Sequence, residues 1–261
     1  MSSFEHMIVE RDGDAILWIT INRPSALNAL SPPAHGELSA ALDGFASDAS
    51  LRVAVVTGSG ERAFCVGSDL KQRSIGNKDD HPPTGFGGIS HRFDLMKPVI
   101  AAVNGLALGG GVEIVAACDL AVAADHAEFA LPEPRVGLAA LGGGGLQRLA
   151  RDLPLKYAME LVLTGRRFGA EEAKQIGLIN AVVPRAELKA RVRRMAEAII
   201  AGAPLAVEAS KQVMLQSLAM PDLQTALRAK YAAAERMLAS EDAKEGQRAF
   251  VEKRKPRWQG K

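Results

Sequence analysis

The chain has 261 residues, of which 48% are apolar and 24% are charged, and its formal net charge is +2. This length and composition suit one large globular domain, and the near-neutral charge gives no reason to expect nucleic-acid or membrane binding. The two cysteines, Cys65 and Cys118, form neither a disulfide framework nor a metal-ligand spacing, and no secretory signal is present, so we expect a cytoplasmic protein.

Strands are predicted mainly in the first half of the chain. Short β-branched or apolar runs indicate strands at residues 15–21, 52–57, 98–103 and 120–123. Helices are predicted over 32–45, with Ser31 as N-cap, and over 110–118. Residues 72–92 are rich in glycine, proline and aspartate, and a loop of this length is usually functional or mobile.

The second half is predicted to be mostly helical. Helical patterns cover residues 171–177, 186–201, 204–217, 221–238 and 240–254. Strands followed by helices favour an α/β core with a C-terminal helical region. We place the boundary between residues 1–200 and residues 201–261.

Two glycine-containing segments are candidates for ligand binding. Residues 62–71 (RAFCVGSDLK) have the pattern of a strand end, a glycine turn and a polar helix start, which alone is usually structural. Residues 104–113 (NGLALGGGVE) place three glycines at the start of a helix. Such a helix start offers free N–H groups to a developing negative charge. Close packing of the helix against a strand explains the glycines equally well.

A third segment, residues 129–138 (FALPEPRVGL), holds Glu133 between two prolines on a stiff backbone. Most glutamates are solvated, so the segment alone says little about function. In this order and spacing, however, the three segments resemble the crotonase family, also called enoyl-CoA hydratase/isomerase. The resemblance covers nearly the whole chain and includes residues 22–24 (NRP), 27–30 (LNAL), 163–166 (LTGR), 240–242 (SED) and 249–254 (AFVEKR).

The resemblance implies a fold, an activity and a set of functional residues. The fold is a spiral of ββα units with a C-terminal helical trimerisation region, and the assembly is a trimer or hexamer. The backbone amides of Ser68 and Gly110 would hold the thioester oxygen of an acyl-CoA substrate. Residues implied in coenzyme A binding are Arg23, Val66, Ser68, Asp69, Leu70, Lys71, Gly110, Gly142 and Lys253. Coenzyme A enters as part of the substrate, so neither a separate cofactor nor a metal is expected.

Two glutamates favour one reaction within the family. The family's hydratases use two, and Glu113 and Glu133 match them. Adding water across a conjugated double bond requires a base that activates water and an acid that protonates C2. Two like charges close together raise the pKa of one carboxyl group, which then serves as the acid. We therefore expect reversible syn hydration of a 2-enoyl-CoA, although isomerase chemistry, or carnitinyl-CoA dehydration, remains an alternative.

One segment departs from the family pattern. Residues 137–148 are about one residue longer than usual and lack the common proline. In hydratases a glycine amide here helps to hold the catalytic water. Gly142 is the candidate for that amide, and Leu141 aligns equally well.

Other functional classes fit less well. Residues 58–63 match G-x-G-x-x-A, but the following residues look extended rather than helical, against a dinucleotide site. No G-x-S-x-G elbow indicates a serine hydrolase. The five histidines lack metal-ligand spacing and are predicted to be surface or loop residues. A non-catalytic CoA- or RNA-binding relative is disfavoured because both glutamates are present and the net charge is nearly neutral.

Overall fold

The computed structural model describes residues 4–70 and 81–261. In this part of the chain the strands are β1 (Met7–Asp12), β2 (Ile16–Ile21), β3 (Val53–Gly58), β4 (Ala63–Cys65), β5 (Val99–Val103), β6 (Leu106–Leu108), β7 (Leu120–Ala124), β8 (Glu128–Ala130), β9 (Phe168–Gly169) and β10 (Ala181–Val183). The helices are α1 (Pro32–Ser47), α2 (Gly110–Ala117), α3 (Gly145–Asp152), α4 (Leu155–Thr164), α5 (Ala170–Gln175), α6 (Leu188–Ile200), α7 (Pro204–Ser217), α8 (Leu223–Arg228), α9 (Ala232–Leu238) and α10 (Glu241–Val251). The α/β core and the helical second half are therefore as predicted.

The larger sheet has six strands in the order β1-β2-β3-β5-β7-β10. The strands from β2 onwards run parallel, and β1 pairs antiparallel with β2. Leu17 and Ile19 pack with the apolar face of α1, whereas Trp18 packs with α6 on the opposite side. Because both faces are covered, the parallel strands carry nearly continuous apolar runs, which is why they could be predicted.

The smaller sheet positions the three candidate segments. Its order is β4-β6-β8-β9, with β4, β6 and β8 parallel. The chain leaves β4 toward Gly67, leaves β6 toward the glycines that begin α2, and leaves β8 toward Glu133. Parallel strands end at the same edge of a sheet, so segments that lie far apart in sequence meet there.

Helix α1 follows its predicted pattern, with one difference at its start. Leu38, Leu42 and Phe45 are fully buried on one face. Ser31 has the extended backbone of an N-cap, but its side chain makes no capping bond to the helix. Its buried hydroxyl has no partner among the described residues. The N-cap prediction therefore holds for the backbone position and not for the hydrogen bond.

The single helix predicted over residues 221–238 is wrong, because the chain forms two helices here, α8 and α9. Asp222 caps α8 by accepting the N–H of Thr225 at 2.7 Å. The backbone becomes extended at Ala229 (ψ 151°), and the Tyr231 hydroxyl donates to the carbonyl oxygen of Ala226 at 2.8 Å. That bond stabilises the break, which helix periodicity alone does not reveal.

The helices are short relative to a lipid bilayer. Over residues 4–70 and 81–261, none of the helices alone has the length and apolar character to cross a membrane. The pair Arg185–Ile200 and Pro204–Ser217 satisfies the criteria of length and composition together, with a bend of 100° between its members.

The residues after α10 turn back onto the helical region. The Trp258 indole N–H donates to the carbonyl oxygen of Ala201 at 2.8 Å. The backbone N–H groups of Gln259 and Gly260 donate to the carboxylate oxygens of Asp242 at 2.7 and 2.8 Å. Asp242 is buried in the first turn of α10. The last residues are therefore a structural part of the C-terminal region.

Replacing Asp242 by alanine removes the acceptor for both tail amides. Because a hydrogen bond to a charged group contributes about 1.5–3 kcal/mol, we expect the free energy of unfolding to fall by at least that much. Urea denaturation measures the change. The matched control is Glu241→Ala, since the Glu241 carboxylate is exposed and forms an ion pair with the exposed Lys244. Equal losses of unfolding free energy in the two variants would show that the bonds from the tail amides to Asp242 do not stabilise the fold.

Candidate active site

Two backbone segments approach each other closely at the edge of the smaller sheet. Gly67 has a positive φ of 90°, and a Cβ atom placed on it would lie 3.1 Å from the amide nitrogen of Gly110. The same Cβ would lie 3.2 Å from the carbonyl oxygen of Leu108. Glycine is therefore required at position 67 by both conformation and space.

The approach leaves two amides directed into the same space. Leu30 bonds to the segment on one side, because its N–H donates to the Gly67 carbonyl and its carbonyl accepts the N–H of Asp69. In a parallel bridge of this kind the N–H of the intervening Ser68 points away from Leu30. Within the described residues, neither the Ser68 amide nor the Gly110 amide donates to a protein acceptor. The predicted pair of Ser68 and Gly110 is thus brought together.

The three glycines at the start of α2 each have a different neighbour. A Cβ on Gly111 would lie 1.9 Å from the carbonyl oxygen of Cys65, which is the close-packing role. A Cβ on Gly110 would lie 2.2 Å from the ring of Phe86, and one on Gly109 would lie 2.7 Å from Oε1 of Glu133. Packing and access to the site therefore both explain the triplet.

Glu113 lies on the first turn of α2 and is 3% exposed. Its Oε1 accepts the backbone N–H of Gly145 at 2.9 Å, and that amide is the first of α3. Both the N–H group and the positive end of the helix dipole favour a charged carboxylate. The sequence did not single out Gly145, because a backbone amide leaves no signature in residue type.

Glu133 begins a short 3-10 turn after β8. Burial raises the pKa of its carboxyl group above the usual range, and the nearby charge of Glu113 raises that pKa further. Its buried Oε2 has no hydrogen-bond partner in the described part of the chain. The two glutamates therefore share one space but differ in environment, which favours the neutral form of Glu133.

A glycine turn over residues 142–145 closes the site beside Glu113. A Cβ on Gly143 would lie 2.8 Å from Oε2 of Glu113, and one on Gly142 would lie 3.9 Å from the same oxygen. The Leu141 side chain is instead 64% exposed. Of the two residues that the sequence left open, Gly142 borders the carboxylate, whereas the amide that bonds to Glu113 belongs to Gly145.

A cluster of three rings forms another wall of the site. The ring of His35 lies 4.6 Å from the rings of His81 and Phe86. A Cβ on Gly142 would lie 3.8 Å from both His81 Cε1 and Phe86 Cδ2. The prediction that all the histidines are surface or loop residues is wrong for His35, which is 2% exposed on α1. Its place three residues before Leu38, on the apolar face, is the signal that could have revealed its burial.

The residues predicted to contact coenzyme A differ in exposure and in the partners that they already have. Val66 and Ser68 are half-buried beside the amide pair, and Leu70 is 60% exposed. Arg23 is already engaged, with its guanidinium 2.9 Å from the Asp69 carboxylate and also bonded to the Ala29 carbonyl. A contact between Arg23 and coenzyme A would therefore either compete with that ion pair or form beside it.

The other residues with a predicted role in coenzyme A binding are Lys71 and Lys253. Lys71, like Asp79 and Asp80 of the predicted loop, lies outside the described residues. Lys253 occupies an exposed turn after α10 with a positive φ of 54°, and its predicted role at a neighbouring subunit stays a prediction. The alternative dinucleotide site is not supported, because the strand β4 follows residues 58–62 where that fingerprint requires a helix.

Comparison with known proteins agrees with this geometry. Residues 11–261 match the enoyl-CoA hydratase/isomerase family. The chain is 43% identical, over 265 residues, to a carnitinyl-CoA dehydratase of Escherichia coli (strain K12), covering 98% of this chain and 99% of the relative. A crystal structure of enoyl-CoA hydratase from Mycobacterium tuberculosis H37Rv matches with a TM-score of 0.90 and 41% identity, covering 98% and 99% of the two chains. One from Bacillus anthracis matches with a TM-score of 0.90 and 37% identity, covering 98% and 100%.

The chain therefore belongs to the enoyl-CoA hydratase/isomerase, or crotonase, family. The expected α/β fold with C-terminal helices is confirmed by these structures, each of which covers nearly the whole chain. The division at residue 200 and the cytoplasmic location stay predictions.

His35 makes stability depend on pH. Its Nδ1 accepts the N–H of Gly87 at 2.9 Å, and burial, helped by the charge of His81, lowers the pKa of His35 to about 3. The folded protein keeps this ring neutral while the unfolded chain protonates it below pH about 6.5. We therefore expect His35 to lower the free energy of unfolding by about 1.4 kcal/mol per pH unit as pH falls below that value.

Urea denaturation from pH 8 to pH 5 tests this expectation. In His35→Asn the amide oxygen can still accept the Gly87 N–H, so this variant should lose less stability toward pH 5 than the wild type. The control His126→Asn changes an exposed ring and should keep the wild-type slope. If the unfolding free energy of His35→Asn changes with pH as steeply as that of the wild type, His35 is not the source of the pH dependence.

Proposed function

We propose that this protein catalyses the reversible addition of water to a 2-enoyl-CoA thioester. One observation carries the proposal: the buried carboxyl group of Glu113 and the half-buried one of Glu133 lie in different environments beside a pair of backbone amides that have no protein acceptor within the described residues. Hydration needs these parts, namely a base, an acid and a site for negative charge on the thioester oxygen. Family membership supports a coenzyme A thioester as the substrate.

The amide pair would bind the thioester oxygen. When hydroxide adds to C3, electron density moves through C2 onto that oxygen. The N–H groups of Ser68 and Gly110 converge on one space, and the second also lies at the N-terminus of α2. Donors already aimed at the developing charge lower the barrier without reorganisation. Only the amide of Ser68 is used, so its side chain does not affect this role.

The two carboxyl groups would divide the proton transfers. The Gly145 N–H and the dipole of α3 favour a charged Glu113. This carboxylate takes a proton from water as the water oxygen bonds to C3. The raised pKa of Glu133 favours its neutral form, which gives a proton to C2. Addition of the hydroxyl group to C3 and of the proton to C2 on the same face of the double bond gives the syn product. In the reverse reaction Glu133 takes the C2 proton and Glu113 returns a proton to the leaving hydroxide.

Replacing either Glu113 or Glu133 by glutamine tests the division of roles. If both groups act, each change should lower kcat for hydration at least ~100-fold, the lower end for one positioned acid or base. KM should change little, because the amide pair and the coenzyme A contacts remain. The double variant should be only slightly worse than the worse single variant, since the groups act as a unit.

The assay follows loss of the conjugated thioester absorbance in steady state. Glu128→Gln is the matched control, because Glu128 pairs with Arg167 on the surface and should keep wild-type kcat. A nearly wild-type Glu133→Gln enzyme would leave Glu113 as the sole catalyst and would favour isomerase or other one-glutamate chemistry.

A second candidate is dehydration of a carnitinyl-CoA, the same chemistry on an acyl chain that carries a quaternary ammonium. A relative with this name is 43% identical over nearly the whole chain. The rings of His81 and Phe86 border the space beside Glu113, and aromatic faces attract such cations. A panel of enoyl-CoA chain lengths plus crotonobetainyl-CoA separates the two. We expect kcat/KM highest for an uncharged enoyl-CoA, and a preference for crotonobetainyl-CoA would select the second candidate.

We also propose that the protein assembles as a trimer or hexamer, as the family resemblance implies. Exposed leucines on and around the C-terminal helices support this, since Leu218, Leu223, Leu227 and Leu238 are each 72–77% exposed. We expect sedimentation at neutral pH and micromolar concentration to give a trimer or hexamer, and Leu227→Glu to shift it toward monomer. A stable wild-type monomer would contradict the proposal.

A further inference from the structure

A half-buried arginine lies directly behind the glycine turn that holds Glu113. Nη1 of Arg148, on α3, donates to the carbonyl oxygen of Gly143 at 2.9 Å. Its Nη2 donates to the carbonyl oxygen of Ser90 at 2.6 Å, and Ser90 is fully buried. One guanidinium therefore joins the glycine turn to the segment that carries the Phe86 ring. A lysine has no such fork of donors.

The turn lies between the guanidinium and the catalytic carboxyl group. A Cβ on Gly144, whose φ is +74°, would lie 2.7 Å from Nη1 of Arg148. A Cβ on Gly143 would lie 2.8 Å from Oε2 of Glu113, on the other side of the backbone. A displacement of this turn would therefore also displace the Gly145 amide that bonds to Glu113.

The charges around Arg148 also connect it to Glu113. Burial lowers the pKa of Arg148, and the carboxylates of Asp152 and Glu113 oppose that effect. The Cys118 thiol faces it from the end of α2, with its own pKa raised by burial. Glu113 in turn lies near Glu133. Among these groups Arg148 is the cation, and guanidinium groups stay charged in proteins.

We infer that Arg148 is a positioning residue for Glu113. Arg148 fixes the glycine turn through its two carbonyl contacts and supplies a half-buried positive charge that favours the carboxylate. The inference rests on the proposed hydration, in which Glu113 is the base. It assigns to Arg148 no contact with substrate.

The test compares Arg148→Met, which removes both the fork and the charge, with Arg148→Lys, which keeps only the charge. In the methionine variant we expect kcat to fall ~10- to ~100-fold with little change in KM, as for loss of a group that orients a catalytic residue. The acid limb of the pH profile of kcat/KM should also move to higher pH, because the base is then less readily charged. In the lysine variant kcat should fall less and the acid limb should stay in place.

Arg151→Met is the matched control, since Arg151 lies on the same helix and is exposed, and it should match the wild type in both respects. Hydrogen exchange of the Gly145 amide gives a readout that does not depend on turnover. It should speed up in Arg148→Met and in Arg148→Lys, which both lose the fork, but not in Arg151→Met. If the methionine variant does not fold, the lysine variant decides, and wild-type kcat in it would overturn the inference.

Two other results would overturn it. One is unchanged kcat and an unchanged pH profile in a folded Arg148→Met enzyme. The other is a loss of turnover with an unmoved acid limb and wild-type exchange at Gly145, which would make Arg148 merely structural. Should the wild type hydrate no enoyl-CoA, the proposed function fails, and the exchange of the Gly145 amide alone then decides whether Arg148 positions the turn.

Discussion

The site depends on the close approach of two backbone segments, at Gly67 and at Gly110. A side chain at either glycine would meet its neighbours, the Gly110 amide in one case and the Phe86 ring in the other. Because Leu30 bonds to one side of the first segment, the intervening Ser68 amide is directed to the other side. The pairing of β4, β6 and β8 in parallel brings the segments to one edge of a sheet. The proposed anion site, which is made of backbone, would thus follow from strand order and from the absence of two Cβ atoms.

The different roles proposed for the two carboxyl groups depend on elements that are otherwise ordinary. Glu113 meets the N-terminus of α3, with a backbone N–H at 2.9 Å and a half-buried arginine behind the turn. Glu133 follows a short strand and finds no hydrogen-bond donor for Oε2 in the described part of the chain. Since like charges oppose each other in a site of low polarity, the charge of Glu113 adds to the effect of burial, raises the pKa of Glu133 and favours its neutral form. In the proposed mechanism the fold therefore separates acid from base without a different residue type.

Sequence patterns predicted this fold where burial repeats regularly. The parallel strands β2, β3, β5 and β7 were found because both of their faces are covered, and α7 was found with its observed ends. The break between α8 and α9 was missed, because it depends on a hydroxyl bond from Tyr231 to a backbone carbonyl. Short strands such as β6 and β9 have only two or three residues, too few for a period to show.

In the candidate site, too, some residues could be predicted from the sequence and others could not. Ser68, Gly110, Glu113 and Glu133 could be named because residue type and spacing resemble a known family. The Gly145 amide and the two carbonyl contacts of Arg148 could not, because they act through backbone contacts or through packing between distant elements. The burial of His35 was missed, although its place on the apolar face of α1 indicates it. Arg148 meets Ser90 across 58 positions of sequence, and no local pattern encodes that contact.

The measurement that tests the central claim most directly is a crystal structure with an unreactive acyl-CoA bound. The account predicts that the thioester oxygen lies within about 3 Å of both the Ser68 and the Gly110 amide nitrogens, the usual length of an N–H···O bond. It also predicts that C2 and C3 of the acyl chain lie between the carboxyl groups of Glu113 and Glu133. A thioester oxygen bound away from both amides, or an acyl chain directed away from either glutamate, would contradict it.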